Sequence, residues 1–330
     1  MKLLITTGVY PPESGGPATY TKLLEERLPG HGFTVEVLPF QKVRHLPRGV
    51  RHVAYLFLCM WMSWGVEVVY AQDTVSVGVP AAIASMLMRK KFVVRVPGDY
   101  AWEQGVLRFG VKDSLDEFQN KTYGWQIELL RLLQRFVLRC AKRVVVPSAY
   151  MQRTITSWGR NMQSEVIYSS VSLPHTETVS RPEGFLVVSA GRRVPWKRFD
   201  HIEAVVAKEK GWHFFLASDM SRTEALSWVK AADVFVLNST YEGLSHVLVE
   251  AMMLGTPVVA TRVGGNPELI RDGVDGILVS QDDEALHRAL REVCDNAEVA
   301  RERAASAKER AQMFSIESTI EAIATLLKTV

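Results

Sequence analysis

The sequence predicts an α/β protein of two Rossmann-like, doubly wound domains. Three observations carry this. Apolar runs of strand length alternate with helix-period segments from Lys2 to Val279, the pattern of parallel sheets with helical crossovers. At 330 residues the chain suits two ordinary cores. A polar stretch with two prolines, Pro174–Gly184, separates the halves and places a boundary near 175–183.

Composition narrows the class. A 47% apolar and 23% charged chain is typical of a soluble globular protein. Its longest uncharged apolar run, Val53–Val66, has 14 residues, short of the roughly 18–20 that span a bilayer. The opening MKLLITTGVYPP reads as a first buried strand rather than a signal peptide. Cys59, Cys140 and Cys294 lack ligand spacing and suggest free thiols in a reducing compartment, the cytoplasm being the simplest. The net charge of +3 hides an asymmetry. Residues 1–180 hold 21 Lys/Arg against 14 Asp/Glu, and the remainder 18 against 22. A basic first half suggests an anionic partner. Nucleic acid is not the expected one, because no helix-turn-helix, zinc pattern or aromatic-interleaved basic strand is present.

Taken in order, Lys2–Thr7 reads as a strand and Gly8–Pro17 as a loop, in which Gly15 and Gly16 allow close backbone approach to a ligand. The spacing is not that of a dinucleotide fingerprint. A helix follows, then strand Phe33–Leu38, an apolar helix Val50–Trp64, strand Glu67–Ala71, helix Val75–Met88 and strand Phe92–Val96. Asp73, Asp99 and Glu103 follow strand ends, where ligands bind in doubly wound sheets, but such carboxylates also cap helices. Leu129–Arg143 predicts an amphipathic helix with Arg131, Arg135, Arg139, Lys142 and Arg143 on one side. Such a stripe is commonly a solvated face. With Arg89-Lys90-Lys91 and the Trp61/Trp64 segment it also suits peripheral contact with an anionic membrane. Val144–Val146, Ser148–Trp158 and Glu165–Tyr168 complete the half as strand, helix and strand.

The second half opens with strand Phe185–Ala190 and the loop Gly191–Arg198. Strand His213–Ala217, a helix near Glu224–Ala231 and the unit 234–261 follow. In that unit a buried strand leads through a polar loop into a helix ending at Gly255, then into strand Val258–Thr261. Arg192 and Lys197 can hold a diphosphate by charge and by bidentate geometry. Amides around Gly243, Leu244 and Ser245 offer a helix N-terminus to phosphate. Glu242 and Glu250, acceptor-only when ionised, suit sugar and ribose hydroxyls. Each residue alone is equally at home on a solvated surface; together they describe a nucleotide-sugar site.

The chain resembles the retaining GT-B glycosyltransferases of family four, the group 1 glycosyltransferases. The resemblance is carried by YPPESGGPATY, SAGRRVPWKRFD and NSTYEGLSHVLVEAMMLGTPVVATRVGGNPELI, the last holding a Glu-x7-Glu pattern as Glu242 and Glu250. It implies sugar transfer from a nucleoside diphosphate sugar, UDP- or GDP-linked, to a glycan or lipid-linked acceptor, with retention and with neither cofactor nor metal. Arg192 and Lys197 would grip the diphosphate, Glu250 the ribose and Glu242 the donor sugar. Gly15-Gly16 would approach from the other domain. It also implies a first domain over 1–175 and a second over 176–310, facing each other across a cleft, and a closing helix, 311–330, crossing back to the first.

Two departures stand out. Such enzymes often carry a His where this chain has Pro97-Gly98-Asp99-Tyr100, which makes Asp99 a candidate beside donor or acceptor. Between Ser218 and Lys230 only 13 residues stand where the family usually has a further strand and helix that help hold the base. Either the sheet lacks a strand, or the chain omits part of a longer sequence. A donor-binding but inactive partner subunit, and a GT-B epimerase or phosphorylase, are the alternative readings.

Overall fold

The computed structural model describes residues 1–13, 15–47, 49–159 and 163–330. They form two compact units, one of Met1–Ser169 with Glu317–Val330, the other of Ser170–Ile316. Ser14, in the first glycine loop, lies outside the described residues.

The first unit is built on a six-stranded parallel sheet of order β2-β1-β3-β4-β5-β6. Its strands are β1 (Lys2–Thr7), β2 (Thr34–Pro39), β3 (Val68–Ala71), β4 (Lys91–Arg95), β5 (Arg143–Val146) and β6 (Ser164–Val166). Its helices are α1 (Gly16–Arg27), α2 (Val50–Ser63), α3 (Gly78–Leu87), α4 (Tyr100–Arg108), α5 (Leu115–Gln119), α6 (Trp125–Cys140) and α7 (Ala149–Thr156). The central strands β1, β3 and β4 are buried almost throughout. A parallel sheet covered on both faces needs that, which is why they read as unbroken apolar runs.

The second unit has a five-stranded parallel sheet of order β11-β10-β9-β7-β8, from β7 (Phe185–Ala190), β8 (Trp212–Ala217), β9 (Val234–Leu237), β10 (Val258–Thr261) and β11 (Ile277–Val279). Around it lie α8 (Phe199–Val206), α9 (Arg222–Ala231), α10 (His246–Leu254), α11 (Asn266–Leu269), α12 (Asp283–Asp295) and α13 (Ala297–Ala311). One apolar core joins β7, β9 and β10 to α8 and α12 through Val187, Val236, Val259, Ile202 and Leu290. Between β8 and β9 only α9 is formed, so β8 is the sheet edge. The final helix, α14 (Ile316–Thr329), packs in the first unit, where Thr319 Oγ1 donates to Tyr168 O at 2.8 Å.

Of the two roles that the sequence left open for Asp99, the structure shows the cap: it starts α4 by accepting from Trp102 N at 3.1 Å. Two sequence expectations shift. Arg131 leaves the basic stripe. Its guanidinium stacks on Phe118 and Tyr123 and donates to Glu128 and to the Phe118 and Lys121 carbonyls, because a planar cation with five donors is well satisfied against aromatic faces and carbonyls. The Pro174–Gly184 stretch is not a tether. Glu177 N donates to Ser227 Oγ at 2.8 Å, and Arg181 binds Asp233 and the Ala231 carbonyl, so it runs along the second unit. The units divide earlier, between Ser169 and Ser170.

Candidate active site

In the second unit β7, β9 and β10 are neighbours, and their carboxyl ends release three loops side by side. Two backbone bonds fasten those loops together. Thr240 N donates to Trp196 O at 2.8 Å, and Gly265 N to Glu242 O at 3.0 Å. Gly264 makes the second contact possible. It sits at φ +54°, and a Cβ there would lie 1.8 Å from Glu242 O. Only glycine fits that approach.

This joinery brings Lys197 and Glu242 together although 45 residues separate them. Lys197 Nζ donates to Glu242 Oε1 at 2.6 Å, and Ser239 Oγ donates to the same oxygen at 2.6 Å. Both ionic side chains are nearly buried, 13% and 11% exposed. Gly191 sits at φ +136°, and a Cβ added there would lie 3.7 Å from Lys197 Cε. Arg192 stays exposed in the same loop, and its guanidinium makes no hydrogen bond or ion pair among the described residues. Arg193 pairs with Asp219, while Arg198 is drawn away to Asp283 and Gln281 O. Lys197 and Arg192 are therefore the cations of this loop not committed to the periphery.

Past Glu242 the chain turns through Gly243 and Leu244 into α10, with Ser245 as N-cap accepting from Leu248 N. The macrodipole places partial positive charge at that end. Glu250 lies inside α10, 7% exposed, and burial pushes its carboxyl above the ordinary range while neighbouring Arg222 opposes the rise. Arg222 Nε donates to Glu250 Oε1 at 3.0 Å, and the same guanidinium binds the Ser172 carbonyl. Arg222, Ser239 and Gly264 are the site residues that sequence reasoning missed. Val-Gly-Gly after a strand was a usable signal for Gly264, and Arg222 had none.

In the first unit Gly15 precedes α1 at φ +134°, at the carboxyl end of β1. A Cβ added there would meet Pro17 Cδ at 3.9 Å, an ordinary contact. Gly16 is the first residue of α1. Asp99 is 2% exposed, and beyond its capping bond it accepts from Gln119 Nε2 at 2.8 Å. Burial raises its carboxyl, and the Gln119 bond works against that. Asp73 likewise accepts from the Val75 and Val77 amides ahead of α3. Both carboxylates therefore serve helix starts.

Residues 4–168 match the family described as glycosyl transferase 4-like domain, and residues 207–312 match glycosyl transferases group 1. The chain belongs to the group 1 glycosyltransferase family. Among curated proteins it is 42% identical over 98 residues to a D-inositol 3-phosphate glycosyltransferase of Streptomyces griseus, covering 29% of this chain and 21% of that protein. It is 32% identical over 137 residues to the lipopolysaccharide core biosynthesis glycosyltransferase LpsE of Rhizobium meliloti, covering 34% of this chain and 40% of that one. These matches span only a fifth to two fifths of those relatives. Among solved structures the whole chain superposes on 99% of sucrose-phosphate synthase from Thermosynechococcus elongatus, with TM-score 0.81 and 18% identity. It also superposes on all of Anabaena HepE in complex with UDP, with TM-score 0.72 and 18% identity. This group 1 glycosyltransferase thus has the GT-B-type fold of two parallel-sheet, Rossmann-like domains.

Proposed function

We propose that this group 1 glycosyltransferase moves a sugar from a nucleoside diphosphate sugar, UDP- or GDP-linked, to a glycan or lipid-linked acceptor, with retention at the anomeric carbon. The observation that carries the reading is the Lys197–Glu242–Ser239 cluster at the joined ends of β7 and β9, ahead of the α10 N-terminus. Lys197 neutralises Glu242 through their ion pair. An incoming diphosphate would compete for the ammonium, and Glu242 would then be free to accept from a donor-sugar hydroxyl. Arg192 would add a bidentate contact. As the sugar–phosphate bond breaks, charge gathers on the leaving diphosphate, where fixed cations and the helix N-terminus stabilise it without reorganising. Among the solved relatives, HepE has been captured with UDP and with UDP-glucose.

We place the protein in the cytoplasm, working peripherally at the inner face of the membrane on a lipid-linked or cell-surface glycan precursor. No helix among the described residues is long and apolar enough to cross a membrane.

The test is donor turnover across UDP- and GDP-sugars, with and without a chelator. Hydrolysis or transfer from one donor, unchanged by chelation, is the expected result; no turnover and no binding of any donor overturns it. Two observations favour a second reading, a donor-binding but inactive partner subunit. Arg222 occupies Glu250, and the sheet edge at β8 lacks a further strand to hold a base. Binding without turnover against every acceptor would establish that reading.

A further inference from the structure

Three adjacent helices of the first unit present apolar residues outward. On α2 the exposed residues are Val50, Val53, Phe57 and Trp61, and Trp64 just past its end continues the row. Their spacing puts them on one helix face. Phe57 is 64% exposed, and Trp61 and Trp64 are each 79% exposed. Next to it, α3 shows Met86 and Leu87. On α6, Trp125, Leu129 and Leu132 are exposed, with Arg135 and Arg139 following along the same helix.

The helices are neighbours, α3 packing against both α2 and α6. Their ends are also joined. Lys90 Nζ donates to Trp64 O at 3.4 Å, and Cys140 Sγ lies 3.4 Å from Met86 Sδ. The rows therefore form one platform. A folded protein rarely leaves so much apolar surface on neighbouring helices in water without a partner for it.

Charge decides the partner. Neither α2 nor α3 contains an acidic residue, and the one acid of α6, Glu128, is paired with Arg131. Glu67, just beyond Trp64, accepts from Lys2 N at 3.1 Å. Around the carboxyl ends of α3 and α6 stand Arg89, Lys90, Lys91, Arg135, Arg139, Lys142 and Arg143. The α2 row ends in Trp61 and Trp64 beside Lys90, and the α6 row runs from Trp125 to Leu132 ahead of Arg135 and Arg139; this matches the boundary of an anionic bilayer, where indole sits at headgroup depth and long cations reach phosphate.

We propose that the α2–α3–α6 platform is a monotopic membrane-docking surface selective for anionic lipid, burying Phe57, Trp61, Trp64 and Trp125. It deepens the peripheral half of the proposed function and is independent of donor chemistry.

The experiment is flotation of the full chain with vesicles of phosphatidylcholine alone or with one third phosphatidylglycerol, alongside nucleotide-sugar calorimetry in solution. Wild type should float with the anionic vesicles. Trp61→Ser with Trp64→Ser should abolish flotation, and Arg135→Glu with Arg139→Glu should weaken it about tenfold or more, at about 1 kcal/mol per basic group. Donor binding in solution should be the same in all variants, which also shows that they fold. Absence of wild-type flotation overturns the proposal. So does flotation unaffected by either pair, which would leave peripheral binding intact but place it elsewhere. A wild-type dimer in light scattering that the tryptophan pair dissolves would assign the platform to a second copy instead.

Discussion

At the scale of single residues, Gly264 and Glu250 set the terms of the site. Alanine at 264 would need a left-handed backbone and space that the Glu242 carbonyl already fills. Gly264→Ala should cost about 1–3 kcal/mol of stability and weaken donor binding beyond that, because Glu242 must shift. Thermal melting beside donor calorimetry separates the two effects, and an unchanged donor affinity would show that Glu242 is not positioned from this loop. Glu250 predicts a pH effect. Its carboxyl is raised by burial, and only the ionised form is an acceptor for two hydroxyls. Donor affinity should therefore fall, as pH is lowered, at a higher pH than an ordinary glutamate near about 4.3 would give. Glu250→Gln should remove that step from the calorimetric pH profile. Arg222 counters part of the rise, so Arg222→Ala should move the step to still higher pH.

At the scale of elements, α13 is anchored to the loop before β11 by a buried carboxylate. Burial alone would raise Asp275, but Arg271 side chain and amide, together with Ser306 Oγ, hold it at about 2. Because that lies below the unfolded value of about 3.9, its contribution to stability is present above pH ~3.9 and is lost as pH falls toward 2. Asp275→Asn should lower the melting temperature at neutral pH and flatten its decline in acid, checked by melts from pH 2 to 7. The elements also show what a sequence can carry. Buried parallel strands are apolar end to end, so β1, β3, β4 and β9 stand out locally. The helix α10 announces its end at Gly255, which sits at φ +75°. By contrast α4 begins at a Pro-Gly-Asp that resembles a loop, since a cap and a turn use the same residues. The partners of Arg131 and Arg222 are set by tertiary packing and leave no periodic trace. Lys197 and Glu242 were legible as residue types, while the 2.6 Å bond between them depends on β7 lying beside β9.

At the scale of the whole molecule, two Rossmann-like units of a group 1 glycosyltransferase divide the work. One carries the cation–carboxylate cluster, the other the glycine loop after β1 and an apolar, basic platform. In the proposed function, Lys197 and Glu250 hold a nucleoside diphosphate sugar. Isothermal calorimetry of UDP- and GDP-sugars against wild type, Lys197→Ala and Glu250→Ala tests it most directly. Loss of a charge-assisted bond, about 1.5–3 kcal/mol, predicts donor affinity at least about tenfold weaker in each variant. Equal affinity in all three proteins would contradict it.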